Sequence, residues 1–124
     1  MANVLVVDDS PLSRRISRRI LEGGGHTITE AGDGLTALER YALDKPDVVL
    51  LDVTMAEMNG LEVLSKLRAI DPDARVVMAT ADVQSSTRSL AAGAGALGFV
   101  AKPFAPETVL KAVGDALSAP GAAA

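Results

Sequence analysis

Five polar residues directly follow short apolar runs of the chain, and their side chains are of types that take part in chemistry. They are Asp8, Asp9, Asp52, Thr80 and Lys102. An ionised aspartate can serve as a nucleophile or a metal ligand, and a lysine ammonium can neutralise negative charge. Taken singly, each residue is equally compatible with the plain exit of a strand into a loop. Their joint meaning depends on whether the fold brings them together.

The apolar runs predict the strands that precede these residues. Five runs predict strands at 3–7, 26–31, 47–51, 75–80 and 98–101. Most of them are continuously apolar, which is typical of strands covered on both faces. Only "HTITEA" at 26–31 alternates between apolar and polar residues, and this pattern predicts an edge strand.

Between the runs, apolar residues recur at helical spacing and mark one face of each helix. The sets are Leu12, Ile16 and Ile20, then Leu35, Leu38 and Ala42, then Leu61, Leu64 and Leu67. A fourth helix is predicted over roughly 83–92, and a last one begins at Pro106 with Val109, Val113 and Leu117 inward. Five strand–helix units predict an α/β fold with a parallel sheet and helices on both faces.

The carboxyl ends of parallel strands meet at one edge of the sheet, where ligands bind. Three carboxylates gathered there repel one another and require a counter-charge. One or two carboxylates, completed by water and phosphate, are typical of a Mg²⁺ site, and Mn²⁺ is an alternative ion. We therefore expect Asp52 to attack phosphorus while Lys102 neutralises the phosphoryl oxygens and Thr80 donates a hydrogen bond. The small side chain of Ala81 leaves the backbone N–H beside it open.

Four segments resemble the signature segments of response-regulator receiver domains, the phosphoacceptor half of two-component signalling. They are "VLVVDDS", "LLDVTMAEMNG", "MATA" and "GFVAKPF", in the family's order and over essentially the whole chain. The resemblance implies a flavodoxin-like, doubly wound sheet of five parallel strands in the order 2-1-3-4-5 with five helices. We expect one receiver domain over 1–119 and a disordered tail at 120–124.

The resemblance also implies the ligands of the metal. Asp52 is the phosphoacceptor, and Mg²⁺ is held by Asp9, Asp52 and the backbone carbonyl of Thr54, with Asp8 helping through water. One departure from the family lies nearby: Ala56 stands where proline is common, so the loop loses a fixed φ angle.

By the same resemblance, Lys102 contacts the phosphoryl group and is followed by a cis bond to Pro103. Thr80 is the switch hydroxyl, and Phe99 is the aromatic side chain that moves with it. Phosphate is expected from a histidine kinase or a phosphotransfer protein. No DNA-binding or catalytic segment follows residue 118, so we expect the output to be a changed surface read by another protein, as in chemotaxis-type regulators. The alternative is a phosphate sink or an intermediate in a phosphorelay.

Composition excludes several other functions. A net charge of −4 argues against binding to nucleic acid, and the absence of cysteine excludes disulfides and thiolate sites. There is no signal-like opening and no apolar run of the roughly 18 residues needed to span a membrane, so we expect a cytoplasmic protein. We also expect it to be a monomer. One Tyr, two Phe and no Trp give a flavin little to stack on. A phosphatase of the haloacid-dehalogenase type would need an aspartate at the position of Thr54.

Two other features have simpler interpretations. The last helix is expected to be weak, because Ala105 stands where a capping side chain belongs and Gly114 lies inside the helix. Four arginines, Arg14, Arg15, Arg18 and Arg19, form either a solvated helix face or a docking strip for an acidic kinase surface.

Overall fold

The structure is a computed structural model, and it describes residues 2–53, 59–81, 89–90 and 92–119. The strands are β1 (Asn3–Val7), β2 (Thr27–Ala31), β3 (Val48–Asp52), β4 (Val76–Thr80) and β5 (Gly98–Ala101). The helices are α1 (Pro11–Gly23), α2 (Gly34–Asp44), α3 (Gly60–Ile70) and α4 (Pro106–Ser118). Residues 89, 90, 92 and 93 have helical backbone, but most of the helix predicted at 83–92 lies outside the described residues, as does the tail at 120–124.

All five strands are parallel and lie in the order β2-β1-β3-β4-β5. This is the doubly wound order that the family resemblance implied, and β2 is an edge strand as its alternating pattern predicted. The order reverses between β1 and β3, so the carboxyl ends of these two strands form the crevice in which such sheets bind ligands.

Helices cover the two faces of the sheet and give the protein two apolar layers. On one face, α2 and α3 pack against alternate strand residues, in a cluster that includes Tyr41, Leu64, Leu67, Leu51 and Met78. On the other face, α1 and α4 pack against the intervening residues, in a cluster that includes Leu21, Val109, Val113, Val6 and Leu50. Because successive strand residues point to opposite faces, a continuously apolar strand serves both layers.

The buried face of α1 differs from the one that its apolar spacing marked. Leu12 and Ile16 are 67% and 43% exposed, whereas Ser17 and Leu21 are buried. Ser17 can face the sheet because its hydroxyl donates within the helix, to the carbonyl oxygens of Ser13 and Arg14. The prediction for this helix was therefore wrong at its amino-terminal half.

A similar rotation occurs in α2. Leu35 and Ala42 are exposed, and the helix instead buries Ala37 and Tyr41. Tyr41 can be buried because its hydroxyl donates to Asp71. The predicted faces of α3 and α4 are confirmed.

The first three helices begin at the carboxyl edge of the sheet with a capping side chain. Ser10, Asp33 and Asn59 accept hydrogen bonds from the backbone of the first turns of α1, α2 and α3. Ala105 begins α4 with no such bond, as predicted. Within the described part of the chain, no helix is long and apolar enough to cross a membrane.

Candidate functional site

The register of the two central strands brings Asp8 and Asp52 together. Val7 lies opposite Leu51, so the next residue of each strand is an aspartate at the carboxyl edge of the sheet. Both aspartates are buried, with exposed fractions of 2% and 5%. Burying two neighbouring carboxylates is costly unless cations or hydrogen-bond donors compensate.

Asp9 completes a cluster of three acids with Asp8 and Asp52. One carboxylate oxygen from each residue can be chosen so that all three lie within 4.8 Å of one another. Asp9 is exposed, so the cluster opens to solvent on one side. An all-oxygen donor set with an open side fits a hard divalent cation that keeps part of its water shell. Thr54, the fourth predicted ligand, lies outside the described residues.

Lys102 follows β5 and supplies a positive charge to the cluster. Its Nζ lies 2.9 Å from Asp8 Oδ2 and 3.2 Å from Asp52 Oδ2. Burial favours the neutral amine, but the hydrogen bond to Asp8 and the negative charge of Asp52 more than offset it, so the pKa of Lys102 is raised. The ammonium group therefore bridges the phosphoacceptor candidate and a neighbouring acid.

Thr80 and Ala81 stand at the end of β4, next to β3. Thr80 is buried, its carbonyl oxygen accepts a hydrogen bond from the Lys102 backbone, and Ala81 is exposed at the rim. Phe99 lies in register with Met78, two residues before Thr80, so Phe99 and Thr80 share one face of the sheet. Phe99 is half-buried against the core cluster on that face.

A cleft of about 370 Å³ opens beside the acids, between the start of α1 and the loop after β5. It is lined by Ser10, Leu12, Ser13, Ile16, Ala81, Lys102, Pro103 and Phe104. The bond between Lys102 and Pro103 is cis, as predicted. Because Lys102 also contacts Asp52, the cleft leads directly to the acid cluster.

A family model provides the decisive comparison for this arrangement. Residues 4–114 match the model of the response regulator receiver domain. The chain belongs to this family.

Individual relatives of this receiver domain cover nearly the same length. The chemotaxis protein CheY of Thermotoga maritima is 38% identical over 89% of this chain and 92% of its own length. The CheY of Listeria monocytogenes is 40% identical over 91% and 96%. Among solved structures, Vibrio cholerae CheY4 has a TM-score of 0.88 at 33% identity, covering 92% of this chain and 97% of the other.

Sequence reasoning missed the roles of two residues that shape this receiver site. A Cβ added to Gly60 would lie 2.2 Å from the carbonyl oxygen of Asp52, so only glycine permits α3 to begin so close to the phosphoacceptor strand. The dipeptide Asn59-Gly60, a capping residue followed by glycine, was the available signal. The second missed residue is Arg14, whose Nη1 donates to the main-chain carbonyl of Asp8 over 2.7 Å.

The four arginines of α1 divide into two pairs. Arg14 and Arg18 both bind Glu30 of β2, and these hydrogen bonds, above all the one from Arg18, lower the pKa of Glu30. Arg15 and Arg19 are exposed and have no ion-pair partner among the described residues. The strip is therefore partly a structural cluster and partly a free basic face.

Proposed function

We propose that this receiver domain accepts a phosphoryl group on Asp52 and signals through the resulting change at its surface. The observation that supports this most strongly is the buried Asp52 carboxylate, 3.2 Å from Lys102 Nζ and within a cluster of three acids. A nucleophile, a cation and further oxygen ligands at one point are the components of phosphoryl transfer.

In the transfer step, one Asp52 oxygen attacks phosphorus as the bond from phosphorus to the donor breaks. With a phosphohistidine donor, a phosphorus–nitrogen bond is exchanged for a phosphorus–oxygen bond, and the released imidazole takes a proton. Lys102 neutralises a phosphoryl oxygen as charge develops there. Asp9 and Asp52 are the residues to hold Mg²⁺, with Asp8 alongside, and the bound ion would supply the remaining positive charge.

Covalent labelling tests this proposal. The chain is incubated with MgCl₂ and acetyl phosphate, and the product is analysed by intact mass and peptide mapping. We expect one alkali-labile phosphoryl group on the parent and none on Asp52→Asn. Asp71→Asn, which removes a carboxylate at the opposite edge of the sheet, is the matched control and should label normally. Undiminished labelling of Asp52→Asn would refute the assignment.

For the phosphoryl donor, we propose a docking face on α1. Leu12, Arg15, Ile16 and Arg19 have helical spacing and share one exposed face, which continues into the cleft beside Lys102. Exposed aliphatic residues interleaved with unpaired arginines suit a partner helix with an apolar and acidic face. A histidine on such a helix would approach Asp52 through the cleft, so a histidine kinase or phosphotransfer domain is the fitting partner.

Charge reversal separates docking from chemistry. In a double variant, Arg15→Glu with Arg19→Glu, transfer from any phosphorylated histidine kinase that labels the parent should slow by about tenfold or more. Labelling by the small donor acetyl phosphate should not change. The control for net charge is a second double variant, Arg40→Glu with Lys66→Glu, whose two residues are exposed on α2 and α3. An equal slowing in this control would argue against a specific face.

For the signal, we propose that Thr80 and Phe99 form the switch. A phosphoryl oxygen on Asp52 would draw the Thr80 hydroxyl toward it and free space on the face that Phe99 shares. Phe99 lines two shallow cavities beside β5, one of which reaches α4. Thr80→Ala should still accept phosphate but show much smaller phosphorylation-linked NMR shifts at Phe99 and along α4. Equal shifts in the variant and the parent would rule out this coupling.

We propose that another protein recognises the changed surface. We also propose that the chain acts in the cytoplasm and as a monomer. The net charge of −4 supports a protein partner over nucleic acid. We also propose that the chain's own chemistry is the gain and loss of phosphate, and that it is not an enzyme acting on an external substrate. A phosphate sink is the alternative, and it predicts that no protein binds the phosphorylated form more tightly than the unmodified one.

A further inference from the structure

Every side-chain and main-chain oxygen of Asp8 accepts a hydrogen bond. Its Oδ1 accepts from the Ser10 backbone at 2.9 Å, and its Oδ2 accepts from Lys102 at 2.9 Å. Its main-chain carbonyl accepts from Arg14 Nη1 at 2.7 Å. The first two contacts belong to the site and the turn into α1. The third comes from a side chain that the proposed phosphoryl transfer does not use.

Arg14 is itself held in place by β2. Its Nε donates to Glu30 Oε1 at 3.0 Å, while the other Glu30 oxygen pairs with Arg18. The Arg14 side chain is only 21% exposed, and a Cβ on Gly32 would lie 3.2 Å from its Nη1. A planar guanidinium can make both bonds at once, because its donors are fixed in one rigid fork. The contact with Asp8 is therefore built into the junction of α1 and β2.

We propose that Arg14 is a positioning residue for the cation site, acting through the peptide group between Asp8 and Asp9. This peptide group is planar, so holding the Asp8 carbonyl also fixes the plane from which the Asp9 main chain continues. Arg14 thereby sets the direction of the one exposed acid of the cluster. The inference rests on the proposed function, in which Asp9 binds Mg²⁺.

The direction in which Mg²⁺ affinity changes when Arg14 is replaced distinguishes a positioning role from a simple electrostatic effect. Arg14 carries positive charge near a site for a divalent cation. Removing that charge should strengthen Mg²⁺ binding if only the Coulomb interaction mattered. Removing a positioning contact should weaken it, because the acids no longer start in the binding arrangement. A weaker Mg²⁺ affinity on loss of a positive charge is the signature of positioning.

The test compares two arginines that share Glu30. MgCl₂ is titrated into the parent, Arg14→Met and Arg18→Met, with binding followed by calorimetry and by amide NMR shifts. We expect Arg14→Met to raise the Kd for Mg²⁺ by about tenfold, the lower end for residues that orient metal ligands. Arg18→Met removes the same charge from the same helix, but among the described residues Arg18 forms ion pairs only with Glu22 and Glu30, so the Kd of this variant should be unchanged or lower.

Two further variants keep the test informative if Arg14→Met folds poorly. Arg14→Lys retains the charge without the fork and should recover only part of the affinity. Glu30→Gln leaves Arg14 in place but weakens its anchor, and should raise the Kd by a smaller factor than Arg14→Met. In Mg²⁺-free buffer, the amide ¹⁵N resonance of Asp9 should shift in both Arg14 variants and stay near its parent position in Arg18→Met.

The outcomes distinguish this inference from the proposed function. If the parent binds Mg²⁺ and all Arg14 variants bind it as tightly or more tightly, positioning by Arg14 is refuted and the phosphoacceptor proposal stands. If Arg14→Met and Arg18→Met weaken binding equally, the effect belongs to the Glu30 cluster and the inference is also refuted. If the parent itself binds no Mg²⁺, both the cation part of the proposed function and this inference fall.

Discussion

Aspartates lie in opposite electrostatic environments at the two ends of the sheet. At the carboxyl end, Asp8, Asp9 and Asp52 lie close together, and the ammonium group of Lys102 pairs with Asp8 and Asp52. At the amino end, Asp71 accepts hydrogen bonds from the Tyr41 hydroxyl at 2.7 Å and from the Asp73 backbone at 2.9 Å.

These contacts lower the pKa of Asp71, chiefly through the Tyr41 hydrogen bond, and its negative charge is therefore favoured by folding. In the described part of the chain, the acid cluster at the carboxyl end instead joins three carboxylates with the one ammonium group of Lys102, which leaves an excess of negative charge within the cluster. Such a cluster costs stability and gains affinity for a cation. The amino end is built for stability, and the carboxyl end is built for binding and chemistry.

The largest expected effect is a loss of Mg²⁺ affinity when an acid at the carboxyl end is removed. Asp9→Ala should raise the Kd for Mg²⁺ by more than about tenfold, because an anionic ligand is lost, and should slow labelling by acetyl phosphate accordingly. In Mg²⁺-free buffer the free energy of unfolding should not fall, because repulsion within the cluster decreases. Titration calorimetry and urea unfolding measure the two quantities. An unchanged Kd would show that the cation binds elsewhere.

Mg²⁺ itself should stabilise the fold through the carboxyl end alone. At a free concentration of 100 times its Kd, the ion should raise the free energy of unfolding of the parent by about 2.7 kcal/mol. Chelation should remove this increment. Tyr41→Phe, at the amino end, should gain the full increment, whereas Asp9→Ala, with a Kd more than tenfold higher, should gain less than about 1.4 kcal/mol at the same concentration. A full gain in Asp9→Ala would contradict the division between the ends.

The amino end should respond in stability and not in metal binding. Tyr41→Phe should lower the free energy of unfolding by about 1 kcal/mol, because the hydrogen bond to Asp71 is lost while the ring still fills the core. The Kd for Mg²⁺ should stay at the parent value. Asp71→Asn, which retains an acceptor without the charge, should cost less. A loss of Mg²⁺ affinity in Tyr41→Phe would show that the two ends are coupled.

The pH dependence of this loss follows from the two pKa shifts. The pKa of Asp71 is lowered by folding, so its contribution is full above the unfolded value near 3.8 and is lost as pH falls through the folded value. The pKa of Tyr41 is raised, first by burial and then by Asp71, so its contribution is full below the unfolded value of 10.0 and is lost as pH rises through the folded value. The difference in unfolding free energy between parent and Tyr41→Phe should therefore be constant between these limits and shrink at acid pH.

Much of the fold and of the site could be predicted from two strong sequence signals, the continuously apolar strands and the polar residues at the strand ends. Continuous apolar strands specified a parallel sheet, and polar residues at the strand ends specified its active edge. The buried Asp52, in contact with Lys102, stands where that reasoning expected it. These features could be predicted because a parallel sheet brings the carboxyl ends of its strands to one edge, so polar residues at several strand ends must meet there.

The rest depends on how the helices pack on the sheet and on contacts between residues that are distant in the chain. The buried face of α1 could not be predicted from apolar spacing, because Ser17 satisfies its hydroxyl within the helix and leaves Leu12 and Ile16 outside. The contact from Arg14 to Asp8 depends on Glu30 and on the space above Gly32, neither of which has a sequence signature. Packing and long-range ion pairs decided both points.

The smallest expected effects concern α4, whose start at the carboxyl end lacks the capping side chain that α1, α2 and α3 have. Ala105→Ser should raise the free energy of unfolding by about 1 kcal/mol, because a hydroxyl can accept from the first turn of the helix without adding charge to the site. Gly114→Ala, mid-helix, should add about 0.5–1 kcal/mol, since a Cβ there meets no atom within 4 Å. Urea unfolding measures both, and the gains should add, because the two substitutions share no partner. Neither should change the Kd for Mg²⁺. Suppose that both variants are stabilised but that only Ala105→Ser binds Mg²⁺ more weakly. The uncapped start of α4 would then be part of the cation site, and the lower stability of this helix would be the cost of Mg²⁺ binding at the carboxyl end.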